Sequence, residues 1–505
     1  SQLSIVSRVV SSDTVKLNPT VLSDFATDNP SVSVPEDRDY PVVAVVDTGV
    51  NATCPHLAPW IVGVETFVVN RNFKHGSFVS GLISNAKQLN GNDSRFPESQ
   101  SKVFSVEVLG NEGGDCHEII AAMYEVAKKQ PDIKVWNLSL GENLPVSMLH
   151  ISEMALMLDE FQARHNCLCV VSAGNYEGKP IRAWPPGATL NDGISSPGDS
   201  VKSVTVGSLA HVDGFVKTGE PSHFSRKGPV SNYIQKPEVV HYGGNALFNI
   251  TPPVWLGVNS ISENSQLAQD IGTSFSTPLV STTAANLFHQ IGDRASPCLV
   301  KALLVHSANA TNEVSAAHKH YYGWGVPEDA ADILRVDDHE MTMVFEGKAE
   351  KSFEIQKLPF PIPDCLRTAD GKVRGEFFIT VVYESPLDPE KAFEYCQVNL
   401  DVGLGEVSDK GMFRSKVPLE KGGQEFEKDM IKNGRKWSPI KVYKARYPQG
   451  IDVTNWKLKV SMQNRDGFEY EGELIPFALI ITLRDIDGEQ PVYNEMNQLM
   501  DQQNW

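Results

Sequence analysis

The sequence predicts an α/β domain built on a mostly parallel sheet, followed by a separate all-β domain. From Tyr40 onward, short and almost continuous apolar runs (Val42–Val46, Val103–Val108, Val135–Leu138, Cys167–Val171 and Val201–Val206) alternate with helically spaced segments at 76–86, 116–129 and 147–164. Strands buried on both faces and separated by helices are the pattern of a parallel sheet covered on two sides. After about residue 335 the helices stop, and strand-like runs follow one another through Gly-, Pro- and Asp-bearing connections. The 505 residues also exceed what one ordinary core holds, so two domains are expected.

Taken in order, residues 1–38 are polar and weakly patterned and read as an N-terminal extension. The α/β domain is placed at 39–335. Its longest helix is expected at 275–291, with Phe275, Leu279, Val280, Ala284, Leu287 and Phe288 on the apolar side and Pro278 tolerated as part of the first turn. A further helix at 299–308 precedes the turn-rich Tyr322-Gly323-Trp324-Gly325. The β-rich domain is placed at 336–505. Its strands are expected at Phe353–Ile355, Gly375–Val382, Gln397–Val402, Ile440–Ala445, Lys457–Met462 and Phe477–Leu483, with a sandwich as the natural arrangement. It carries no catalytic constellation, and partner binding is the role expected of it.

The net charge of −18, with no compensating Lys/Arg cluster, argues against a nucleic-acid partner. No apolar run reaches the roughly 18 residues of a membrane span, so no membrane partner is expected. Seven scattered cysteines, without Cys-x-x-Cys spacing, read as reduced thiols and favour a reducing compartment. The opening SQLSIVSRVV has neither an initiator Met nor a signal pattern, and reads as a trimmed or processed start.

Four segments carry candidate chemistry. Asp47 closes the first buried run, at the sheet edge where α/β folds gather ligands. His75 stands at the start of an amphipathic segment whose Phe78, Val79, Leu82 and Ile83 face inward. Ser274 stands at the start of the long helix, where free N–H groups favour developing negative charge. Asn175 ends another buried run and offers an amide donor. Each alone has a plainer account: a turn Asp, a capping His, a Ser/Thr N-cap, an Asn in a turn. Together they supply acid, base, nucleophile and oxyanion donor in the order Asp, His, Ser.

The flanking words VDTGV, HGSFVSG, NLSLG, SAGN and GTSFSTP resemble, in that order, the motifs of subtilisin-like serine peptidases over residues 40–330. The resemblance implies a three-layer subtilisin-like fold and a serine endopeptidase acting on protein or peptide substrates. It implies Asp47, His75 and Ser274 as the triad and Asn175 in the oxyanion hole. It also implies Ser139, Leu140 and Gly141 as the strand that pairs with substrate. Three positions depart from the family pattern: Phe78 for a second His, Phe275 for a Met, and Glu142 for a second Gly, the last near the first specificity pocket. No metal or cofactor is implied; calcium is conceivable at Asn90-Gly91-Asn92-Asp93, where a solvated loop is the simpler reading. The stretches Pro59–Gly63, Val135–Gly141, Lys236–Gly244 and Tyr322–Pro327 resemble a bacterial subset encoded beside an AAA+ ATPase and associated with plasmid incompatibility and phage defence. That implies a cytoplasmic, regulated peptidase with an ATPase partner. A secreted degradative peptidase and a non-catalytic scaffold are the competing expectations.

Overall fold

Buried apolar runs dictate the centre of the first unit. Strands β1 (Val42–Asp47), β2 (Ile61–Thr66), β3 (Lys102–Glu107), β4 (Val135–Leu138), β5 (Leu168–Ser172), β6 (Val204–Leu209) and β7 (Val239–Tyr242) form one seven-stranded sheet. Its order is β7-β6-β5-β4-β1-β3-β2, and the ladders joining β1 through β6 are parallel. Strand order reverses beside β1, and in open α/β sheets ligand sites gather at the carboxyl ends of the strands flanking such a point, here β1 and β4. The computed structural model describes residues 14–16, 23–24, 32–187, 189–231, 234–351, 354–420, 427–432, 436–468, 472 and 474–503. Most of the extension expected at 1–38, and Phe353 of an expected strand, lie outside them.

Helices cover both faces of the sheet. On one side α2 (Cys116–Lys129) and α3 (Glu153–His165) bury Ile119, Met123, Val126, Leu158 and Phe161 against Ala44, Val46, Trp136, Leu138, Cys169 and Val171. Asp115 starts α2 by accepting the His117 and Glu118 amides, and Lys128 and Lys129 close it, in keeping with the helix dipole. On the other side lie α1 (Lys74–Leu89), packed on β1 and β3, and α4 (Thr273–Ile291), whose Ser281 bonds Asn137 of β4.

Two element starts in the first unit shift by three residues or more. The helix expected from 147 begins at Glu153. The strand expected from Val201 begins at Val204, because the Val201 and Lys202 amides turn to the buried Asp159 carboxylate of α3 (3.1 and 2.8 Å). The carboxylate takes the amides that a ladder would have used.

The chain forms two units: Ser1–Val146, Ser152–Lys227 and His241–Asn286 make the first, and Ser147–Ile151, Gly228–Val240 and Leu287–Trp505 the second. In the second, β10 (Glu340–Ala349), β11 (Glu354–Lys357), β12 (Val373–Tyr383), β13 (Val398–Val407), β14 (Phe413–Ser415), β15 (Ile440–Ile451), β16 (Trp456–Asn464) and β17 (Ile475–Arg484) follow a hairpin of β8 (Val258–Ile261) and β9 (Leu267–Asp270) that belongs to the first unit. They make two antiparallel sheets, β10-β17-β12-β15 and β11-β16-β13-β14, which share an apolar core around Phe377, Trp456, Leu479 and Ile481. Strands β10 and β14 were not expected from the sequence: β10 alternates buried Met341 and Met343 with exposed residues and lacks a continuous apolar run. Helix α5 (Pro297–Thr311) lies on β12 and β17, and α6 (Val492–Gln503) forms in the tail. Among the described residues no helix is long and apolar enough to cross a membrane.

Candidate active site

The first two groups meet because a turn and a helix end are allowed to touch. Asp47 closes β1 fully buried, and Oδ1 accepts from the Thr48 amide (2.7 Å) and hydroxyl (3.2 Å). The turn continues through Gly49 at φ +124°, a conformation that excludes an ordinary side chain. A Cβ on Gly76 would lie 2.1 Å from the Gly49 carbonyl oxygen, so a residue without one lets the first turn of α1 rest on the Asp47–Gly49 turn. That brings His75 Nδ1 to 2.8 and 2.9 Å from the two Asp47 oxygens, with both side chains out of water. Burial works against a charged imidazole here. The Asp47 charge and hydrogen bond, joined by the charge of buried Asp270, more than offset it, and His75 is held above its ordinary 6.5.

Strand β9 leads through Asp270, Ile271 and Gly272 directly into α4, of which Ser274 is the second residue. The first turn thus ends before Pro278, which corrects the expectation that the proline belongs to it. Inside the helix, Pro278 has no N–H for the carbonyl four residues back, which is that of Ser274. The Ser139 hydroxyl fills the gap by donating to the Ser274 carbonyl (2.8 Å). In return the Ser274 hydroxyl donates to the Ser139 carbonyl (3.2 Å) and not to His75. Ser139 is itself held by the Asn137 amide (3.0 Å), whose oxygen accepts from Ser281 of α4.

Asn175 lies three residues beyond β5. Its Oδ1 accepts from the Thr273 amide and hydroxyl (3.0 and 2.9 Å), which fixes the amide so that Nδ2 is the end presented beside Gly272. The nearly buried Arg226 ties this edge together. Its guanidinium donates to the carbonyls of Asn175 (3.0 Å), Gly193 (2.8 Å) and Asn143, so one cation spans the Asn175 turn and the chain just after Gly141. Leu140 is buried in the core shared with α2, and Gly141 lies against Ser196, whose carbonyl a Cβ on Gly141 would approach to 2.8 Å.

The structure therefore brings Asp47, His75, Ser139, Ser274 and Asn175 to one edge of the sheet. Sequence reasoning missed Asp270 and Arg226, which lie in none of the motifs it singled out. It also treated Phe78 and Phe275 as separate departures. Their rings lie 4.5 Å apart, and Phe275 lies 5.5 Å from the His75 ring, so the two substitutions form one aromatic backing for the imidazole. Among the described residues, two loops carry candidate metal-ligating groups, and in both these groups have partners within the chain. Asp93 is gripped by Arg95 (2.5–3.0 Å) and the Asn90 amide is spent on α1 and β8. Asp115, Cys116 and His117 bring ligand atoms within 4.8 Å, but Asp115 is the N-cap of α2 and Cys116 is buried in the core.

Residues 38–325 match the family model described as the subtilase family of S8 peptidases. The chain is similar to a curated protein of Sinorhizobium fredii named uncharacterized protein y4bN, at 23% identity over 72% of this chain and 95% of that one. Among solved structures it is similar to a cold-adapted subtilisin-like serine proteinase (22% identity, 60% of this chain and 94% of the other, TM-score 0.39). It is also similar to an epidermin leader-peptide-processing serine protease of Staphylococcus aureus (19%, 59% and 76%, TM-score 0.43).

Proposed function

Given that this chain belongs to the subtilase family and is a serine peptidase, we propose that Ser274 is its nucleophile, His75 its general base and Asp47 the group that orients and stabilises the imidazolium. The observation that carries this is the buried pair in which both Asp47 oxygens lie within 2.9 Å of His75 Nδ1. That pairing assigns the Nδ1 proton to the Asp47 side and leaves Nε2 as the acceptor. The Ser274 hydroxyl turns about its Cα–Cβ bond from the Ser139 carbonyl to Nε2, and Oγ attacks the scissile carbonyl while its proton passes to His75. The oxyanion of the tetrahedral intermediate is met by Asn175 Nδ2 and by the Ser274 backbone N–H at the start of α4, donors fixed before the charge develops. His75 then protonates the leaving amine, and water hydrolyses the acyl-enzyme by the same route. Ser139, Leu140 and Gly141 offer the backbone groups on which an extended peptide pairs.

The finer reading is a cytoplasmic, regulated endopeptidase that works with an AAA+ ATPase in plasmid incompatibility or phage defence. The stretches Pro59–Gly63, Lys236–Gly244 and Tyr322–Pro327 support it. The test begins with a fluorophosphonate probe on the purified chain and on Ser274→Ala. Labelling of the first alone is expected; equal labelling would remove Ser274 from its role. Co-purification of an AAA+ ATPase with Ser274→Ala in the native host is expected for the finer reading. Export of the chain to the medium would replace it with a secreted role.

A further inference from the structure

We propose that Lys441 and Asn399 of the second unit join covalently, the Lys441 amine displacing the Asn399 amide nitrogen to leave an intramolecular amide cross-link and free ammonia. The proposal does not rest on the role given to Ser274. Lys441 stands on β15, and Asn399 and Asp401 stand on β13, strands of the two facing sheets. Along β15, Tyr443 and Ala445 belong to the shared core, and alternation gives Lys441 the same side. Along β13 the core residues are Val398, Leu400, Val402 and Leu404, so Asn399 and Asp401 stand together on the other face. Lys441 therefore extends from the core side of one sheet to the outer face of the other. Its Nζ donates to Asn399 Oδ1 and to Asp401 Oδ1 (2.8 Å), and Asn399 Nδ2 donates to Asp401 Oδ2 (2.8 Å). An ion pair needs only Lys441 and Asp401. The third member adds an electrophilic carbon one bond from the oxygen that Nζ touches. The carboxylate that holds Nζ also holds the nitrogen that has to leave.

The surroundings favour the reaction over a resting ion pair. Lys441 and Asn399 are buried, while the Asp401 side chain keeps 43% of its surface exposed, so the reacting atoms are shielded and the carboxylate stands at the way out. Burial pushes the Lys441 ammonium below its ordinary 10.5, against the charge and hydrogen bond of Asp401. Burial would raise Asp401, but the charge and hydrogen bond of Lys441 more than offset it, so the group is a carboxylate able to take a proton. The Lys441 ammonium gives one proton to Asp401 and becomes a neutral amine, the form in which lysine is a nucleophile. Nζ then bonds to Cγ of Asn399. As the Cγ–Nδ2 bond breaks, Asp401 passes its proton to Nδ2 and takes the second proton from Nζ. The products are one amide and one ammonia, and Asp401 returns to the carboxylate when that ammonia leaves as ammonium. Fixed neighbours supply what free amines and amides lack, since well-oriented intramolecular groups reach effective molarities of about 10⁵ M or more. The link joins positions 42 residues apart and staples one sheet to the other.

The test is the intact mass of the full chain, measured under denaturing conditions on Ser274→Ala so that self-cleavage does not intrude. The mass is expected to fall short of the sequence by one ammonia. Lys441→Arg, Asn399→Ala and Asp401→Ala, each made in the same background, are expected to show their full sequence masses. Circular dichroism establishes that the parent chain is folded. Tryptic digestion followed by tandem mass spectrometry is expected to yield a branched peptide joining Lys441 to Asn399, with no cleavage after Lys441. Full sequence mass in the folded parent chain would overturn the proposal, and that reading needs no variant to fold. An ammonia loss that survives Lys441→Arg would overturn it as well, since cyclisation elsewhere in the chain would then be its source.

Discussion

His75 in the first unit and His306 in the second are both buried, and both have ring nitrogens engaged, yet they titrate in opposite directions. His75 faces a carboxylate at 2.8 and 2.9 Å and is held above 6.5. His306, on α5, lies between two threonine hydroxyls, with Nδ1 2.9 Å from Thr380 of β12 and Nε2 2.8 Å from Thr482 of β17. Burial pushes it down to about 3, aided by the charge of Arg484. A hydroxyl can satisfy either ring tautomer but stabilises no charge, whereas a carboxylate stabilises the imidazolium that proton transfer creates. Removal from water is therefore the same event in both places, and the partner decides which way the ring titrates.

The comparison can be broken most strongly at Asp47. Asp47→Asn makes the surroundings of His75 resemble those of His306, and kcat/KM is expected to fall about ten-thousand-fold, close to 5–6 kcal/mol of transition-state stabilisation. The sign of the pH effect follows from the base needing its neutral form. In wild type, kcat/KM rises with pH through a midpoint above 6.5; in Asp47→Asn the residual activity has its midpoint displaced to lower pH, since burial is then less opposed. An unmoved midpoint would mean that Asp47 does not set the titration. Asn175→Ala sharpens the same point from the other side. It is expected to cost about 10²–10³ in kcat, roughly 3–4 kcal/mol, while leaving that midpoint in place, because the lost donor meets the oxyanion and not the imidazole.

In the second unit, His306→Ala removes a buried ring and strands two threonine hydroxyls, and about 2–3 kcal/mol of stability should be lost in denaturant unfolding. The unfolded imidazole titrates near 6.5 and the folded one near 3, so the stability His306 confers is complete above 6.5 and declines as pH falls toward 3. His306→Gln should flatten that part of the profile. The smallest effect is expected of Asp270→Asn: the His75 midpoint should move down by a few tenths of a unit, about 0.5 kcal/mol, with the Asp47 pair intact. A displacement as large as that of Asp47→Asn would make Asp270 an equal partner.

What the sequence made legible were features that repeat locally. Continuous apolar runs located β1, β4 and β5, and a polar residue beyond each run located Asp47, Ser139 and Asn175. Helical spacing located α1 and α4, and so the edge on which His75 and Ser274 stand. Groups whose meaning depends on distant partners stayed hidden. Arg226 is defined by carbonyls 33 to 83 residues away, and Asp270 matters through its charge on a histidine carried by another element. Pro278 was misplaced because its tolerance comes from a hydroxyl 135 residues away from Ser274 and not from its position in the first turn.

A proline at 278 does more than avoid harm. Any other residue there would bring an N–H that competes with the Ser139 hydroxyl for the Ser274 carbonyl, and α4 would then close its own ladder. By giving up one internal bond, the helix leaves the Ser274 carbonyl to the hydroxyl that follows the neighbouring strand. If Ser274 is the nucleophile and Ser139 pairs with substrate, as proposed above, the scissile bond and the attacking oxygen are positioned from one reference point.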